Sequence, residues 1–155
     1  MVQIPEPSPK HIGDLTWVLD KIYFYAKTSK SESTRKNFIK YLNKYSNVLM
    51  EWEMALVDGK VPKDIDWSDL KKETDYSNNG QVTRILRDVE KLYKLAVLVE
   101  DKQMKNEVLR LLFEASNLFL DHVIALEDKG SVDETKVDKE LNEIEKRITE
   151  LININ

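Results

Sequence analysis

Apolar residues recur along this chain at alternating steps of three and four, the signature of a helix with one face turned to a core. Ile12, Leu15, Leu19, Ile22 and Ala26 form the first such series. Ser8-Pro9 ahead of it reads as a cap followed by proline at the first helical position, which predicts a helix from there to about Lys27. Phe38, Leu42, Tyr45, Leu49, Trp52 and Leu56 form a second series that ends at Asp58-Gly59, and Val61-Pro62 prevents its continuation. The third series is Ile85, Val89, Leu92, Ala96 and Val99. Neither Gly nor Pro interrupts Glu100-Asp101-Lys102, so the pattern leaves open whether a fourth helix is separate from the third.

The fourth series is Met104, Val108, Leu111, Ala115, Leu118, His122 and Ala125. This segment has a second apolar face as well, including Leu109, Leu112, Phe113, Phe119, Val123, Ile124 and Leu126. A helix apolar nearly all round is covered on more than one side. It is therefore expected at the centre of a bundle or at an oligomer interface, with Leu112, Phe119, His122, Val123 and Leu126 as the candidate interface. The fifth series, Val137, Leu141, Ile144, Ile148 and Leu151, is a narrow stripe on an otherwise charged segment. Ser131-Val132-Asp133-Glu134 before it reads as a capping box. The expected architecture is an all-α, single-domain helical bundle over residues 1–155. It has five main helices, an extended arm at 1–8, and a long connection at 59–80. Within that connection Asp66-Trp67-Ser68-Asp69-Leu70 reads as one short helix.

Composition agrees with this and removes several functions. Apolar residues make up 41% of the chain and charged residues 34%, a globular balance. Four Gly and four Pro are too few for the turns of an all-β fold. Without Cys there are no disulfides, thiolate metal sites or cysteine nucleophiles. The start MVQIPEPSPK lacks a basic region followed by an apolar run, so no signal peptide is read and a cytoplasmic location is expected. No stretch approaches the length of an uncharged membrane span, so no membrane partner is expected.

Catalytic patterns are sparse. The isolated glycines form neither a dinucleotide fingerprint nor a phosphate loop, and no Ser lies in a nucleophile elbow. The two histidines, His11 and His122, are far apart and lack the spacing of a ligand pair. His122 falls in the apolar seam of the fourth segment and reads as a core or interface histidine. Glu107, Glu114 and Asp121 lie seven residues apart on one edge of that segment. With Arg110 among them they read as its solvated edge, and clustered carboxylates of this kind are also what a magnesium site would use.

The run Glu114-Ala115-Ser116-Asn117-Leu118-Phe119 through Ala125-Leu126-Glu127-Asp128-Lys129-Gly130 resembles a helix of the all-α nucleoside-triphosphate pyrophosphohydrolases, particularly the phosphoribosyl-ATP type. The likeness covers 17 of 155 residues. It implies a magnesium-dependent activity with Glu114 as a ligand. Asn117, however, stands where that family has its metal-binding Asp, and residues 88–98 lack its paired glutamates.

Charge is unevenly spread. Residues 10–45 hold eight Lys/Arg against three Asp/Glu, while residues 81–155 hold twelve against sixteen. Arg35, Lys36, Lys40 and Lys44 form the candidate polyanion-binding set. The last three make one stripe opposite the Phe38/Leu42/Leu49 face, as an ordinary solvated face would. The function expected is that of a non-enzymatic interaction protein, a small subunit or adaptor that self-associates or joins a protein complex and carries no cofactor. A nucleic-acid-associated accessory protein is the alternative, and a divergent pyrophosphohydrolase the third reading.

Overall fold

The computed structural model describes residues 9–60 and 75–154. Among them are five α helices and no strand: α1 (Ile12–Thr28), α2 (Glu32–Val57), α3 (Gln81–Leu98), α4 (Lys102–Glu127) and α5 (Glu134–Ile154). The all-α class and the five main helices are those the periodicity predicts. The arm at 1–8 and the short helix expected at 66–70 lie outside the described residues. The chain divides into two compact units, Met1–Asn79 and Gly80–Asn155.

In the first unit α1 and α2 pack against each other, joined by the short link Ser29–Ser31. The predicted series of α1 is wholly buried, as are Phe38, Leu42, Tyr45, Leu49 and Leu56 of α2. Tyr25 of α1 stacks on Phe38 of α2, with ring centroids 5.5 Å apart. The stretch 75–79 returns onto α1 through polar contacts. Tyr76 and Thr16 share a hydrogen bond of 2.8 Å, and the backbone N–H of Ser77 donates to the Asp20 carboxylate. Asn79 Nδ2 donates to the Asp20 carbonyl at 2.8 Å and to its Oδ1 at 3.0 Å. Asp20 is fully buried, and a buried carboxylate is tolerable only with such donors.

In the second unit α3, α4 and α5 all touch one another. This explains the two apolar faces of α4, since α3 and α5 each cover part of it. Val137, Leu141, Ile144, Ile148 and Leu151 are all buried, and most other positions of α5 are exposed. Helices α3 and α4 are separate. Val99 is extended, and the Asp101 side chain caps α4 by accepting from the Met104 N–H at 2.9 Å.

Two helix starts differ from their predicted caps. Helix α1 begins at Ile12, and Pro9-Lys10 precede it in non-helical form. The cap is His11, whose Nδ1 accepts from the Asp14 N–H at 3.4 Å while Asp14 accepts from the Lys10 N–H. Helix α5 is capped by Asp133, whose carboxylate accepts from the Lys136 N–H at 3.2 Å, and not by Ser131. In both cases the residue just before the helix reaches the N–H three positions on, one of the first-turn donors that lack a partner within the helix.

Helices α2 and α4 end in the same motif. After α2, Lys60 N–H bonds to the Ala55 carbonyl and Gly59 N–H to that of Leu56, with Gly59 at φ +72°. After α4, Gly130 N–H bonds to Ala125 and Lys129 N–H to Leu126, but here the left-handed residue is Lys129 at φ +58°. An L side chain in that region costs roughly 1–2 kcal/mol. Substituting K129G is therefore expected to stabilise the fold by about 1 kcal/mol, and G59A to destabilise it by a similar amount, by urea unfolding. Equal and opposite shifts to those stated would contradict the assigned ends.

Candidate functional site

Gln81, Arg84 and Asp88 lie at steps of three and four on one edge of α3, between the apolar positions Val82, Ile85 and Val89. They meet Asp138, Asn142 and Glu145, at steps of four and three on α5. The pairings rise together along both helices, so α3 and α5 run parallel at this seam. Arg84 forks onto Glu145, with Nε to Oε2 at 3.0 Å and Nη2 to Oε1. Its Nη2 also donates to Asn142 Oδ1 at 2.7 Å. Gln81 Nε2 donates to the Glu134 carbonyl and to Asp138 Oδ1, both at 2.8 Å. The other end of the Gln81 amide, Oε1, lies 2.8 Å from His122 Nε2, so that ring nitrogen carries the hydrogen and donates. One glutamine thereby ties α3, α4 and α5 together.

Asp88 is buried, with 3% of its surface exposed. Burial, followed by its hydrogen bond to Glu145 and the charge of Glu145, pushes its carboxyl up to about 8. Lys91 and Arg84 pull the other way. Glu145 goes down instead, chiefly because Arg84 is hydrogen-bonded to it. The two carboxyls share one proton, held by Asp88 and donated to Glu145. Asp88 Oδ2 makes no hydrogen bond among the described residues, which suits a neutral acid better than an ion.

A second seam joins α4 and α5. Arg147 forks onto Glu107 at 2.5 and 2.8 Å and also reaches Glu150 at 2.7 Å. That guanidinium holds the Glu107 carboxyl below its ordinary range. Beside it an open groove of about 510 Å³ runs between the helices. Leu111, Leu118 and Ile144 form its floor, and Arg110, Glu114, Asp121, Glu140, Glu143 and Arg147 its walls. Arg110 is paired with Glu114 at 2.7 Å. With both arginines engaged, the carboxylates of Asp121, Glu140 and Glu143 are the groove charges without an ion pair among the described residues.

The residues singled out from sequence fall into separate places. Lys36, Lys40 and Lys44 are exposed on α2, Lys44 lying 5.7 Å over the Tyr45 ring. Arg35 is half-buried and pairs with Glu32 at 3.6 Å. Of the candidate interface on α4, Leu112, Phe119, His122 and Val123 are buried within the chain, and Leu126 is half-buried. The exposed apolar side chain of α4 is Ile124, at 55%. Glu107 and Glu114 face arginines, and Asp121 stands apart from them in the groove wall. Among the described residues no group of three or more His, Asp or Glu is placed to hold a metal ion, and no helix is long and apolar enough to cross a membrane.

Sequence reading missed Asp20, Gln81, Arg84, Asp88 and Glu145. For the α3 set a signal exists: three polar residues repeat at helical spacing directly beside the apolar stripe, where a partner helix must cover them. Comparisons with protein-family models, with curated proteins and with solved structures find no match.

The raised carboxyl has a defined effect on stability. Asp88 keeps its proton in the folded state well above the pH at which the unfolded chain releases it. Its contribution is complete below about pH 4 and is lost as pH rises towards 8. Asparagine keeps the donor to Glu145 and cannot ionise. The Tm difference between D88N and the wild type is expected to be smallest near pH 4, to grow in favour of D88N as pH rises, and to level off above about pH 8. A shift independent of pH, followed by calorimetry, would contradict the shared proton.

Proposed function

We propose that this chain is a non-enzymatic helical interaction protein, a small self-associating subunit or adaptor acting in the cytoplasm. The observation that carries this reading is the α4–α5 groove, with an apolar floor and walls in which Asp121, Glu140 and Glu143 make no ion pair among the described residues. Such a surface suits another protein better than a reaction. The acid with the most displaced proton affinity, Asp88, is sealed from solvent and engaged with Glu145. A general acid or base must reach its substrate. Of the three carboxylates that would serve magnesium chemistry, Glu107, Glu114 and Asp121, the first two are taken up by Arg147 and Arg110.

With Leu112, Phe119, His122 and Val123 buried, the part of α4 open to a partner is its outer edge, where Ile124 lines a pocket together with Leu118 and Asp121 of the groove. Sedimentation velocity tests the reading. At about 50 µM and low ionic strength the protein is expected to sediment as a species heavier than the monomer, and less so as salt rises. A strict monomer at every concentration would remove the self-association.

The exposed row Lys36, Lys40 and Lys44 favours one second reading, an accessory protein on nucleic acid. Two aromatics of this unit have partners within the chain, Tyr25 on Phe38 and Tyr45 under Lys44, which favours phosphate contact as the mode. Salt-sensitive retardation of labelled RNA or DNA that K36Q/K40Q/K44Q abolishes is the outcome this second reading requires.

A further inference from the structure

We infer that the α4–α5 groove seats the lysine row of α2 from a second copy of this chain. The inference rests on the self-association proposed above and names its two surfaces.

Charge is the first argument. In the groove, Arg110 is held by Glu114, and Arg147 by Glu107 and Glu150. Asp121, Glu140 and Glu143 make no ion pair among the described residues, and both Asp121 and Glu143 are exposed. On α2, Lys36, Lys40 and Lys44 are exposed and likewise make no ion pair among the described residues, and Lys44 lies over the Tyr45 ring. Three unpaired anions in a groove and three cations on a ridge thus occur in one molecule. Self-pairing satisfies both.

Dimensions are the second argument. Lys36 to Lys44 spans eight residues, about 12 Å of helix. The groove wall on α4 runs from Arg110 to Asp121, about 16 Å by the same rise. Two turns of α2 therefore fit along it. The floor of Leu111, Leu118 and Ile144 is apolar, which suits lysine in particular. The four-carbon stems lie on the floor while the ammonium groups reach the walls.

The test is a charge exchange, read by sedimentation velocity on the full chain. K36E/K40E/K44E makes the row acidic and keeps the groove. D121K/E140K/E143K makes the groove basic and keeps the row. Each variant alone is expected to self-associate at least tenfold more weakly than the wild type at about 20 mM salt. Mixed in equal amounts, the two are expected to recover association, because acidic rows then meet basic grooves and basic rows meet acidic ones. Circular dichroism confirms that each is folded, and the neutral set K36Q/K40Q/K44Q, expected to weaken association without reversing charge, provides a second variant.

If both charge-reversed variants associate as the wild type does, this pairing is overturned while self-association stands. A wild type that remains monomeric at low salt overturns both. Folded lysine variants that keep full association and lose only RNA binding overturn the pairing and assign the row to a polyanion.

Discussion

The fork between Arg84 and Glu145 sets the position of α5 and, through it, the form of the second unit. Helix α5 offers its neighbours only a stripe of five apolar side chains at steps of four and three. Such a stripe repeats every seven residues, so hydrophobic burial alone leaves the helix free to slip by two turns. The polar seams remove that freedom. A slip that brings Asp138 to the place of Glu145 still gives Arg84 a carboxylate, but it carries Glu140 to the place of Arg147 and sets it against Glu107. The opposite slip sets Ile152 against Arg84. In the observed register Arg84 meets Glu145 and Arg147 meets Glu107 at the same time. A few polar contacts of modest net energy thereby choose among arrangements of similar apolar burial, the best-attested use of charged groups along a helical seam.

The protonated Asp88 follows from the same constraint. Arg84 is one residue turn away on α3, but its fork is committed to Glu145. Asp88 then has a negative neighbour, little water and no guanidinium of its own. Holding a proton is the cheaper state, and the proton becomes a hydrogen bond to Glu145. Asp20 in the first unit shows the other solution. It is equally buried, but the Ser77 N–H and the Asn79 amide supply donors. One carboxyl is satisfied by a hydrogen it keeps, the other by hydrogens it receives. Both arrangements tie the ends of segments distant in sequence, and neither is accessible to a substrate.

How much of this was legible in the sequence depends on the range of the interaction. The helices were readable because their apolar series are local and repeat at the period of the structure itself. Their ends were less so. Ser8-Pro9 and Ser131 are good capping residues by type, yet His11 and Asp133 cap α1 and α5, since small differences between neighbouring side chains decide a cap. The break between α3 and α4 carries no Gly or Pro, and its signal in the sequence is Asp101, an ordinary cap residue. The cross-links of the candidate site lay furthest from view. Arg147 and Glu107 are forty residues apart, and Arg84 and Glu145 sixty-one. The spacing of Glu107, Glu114 and Asp121 placed them on one edge, but not that arginines would divide them.

The same division decides the chemistry of the groove. The apolar face of α4 is consumed within the chain, and its acidic edge becomes a wall of the groove. Guanidiniums enter that wall from both helices and neutralise its first carboxylates. Arg110 and Arg147 are each already partnered, which leaves Asp121, Glu140 and Glu143 as the groove carboxylates without an ion pair among the described residues. A row of acids over an apolar floor is stable in water because the acids stay hydrated. It becomes a binding surface when a cation with an apolar stem replaces that water on both counts, which a lysine does and a small ion does not.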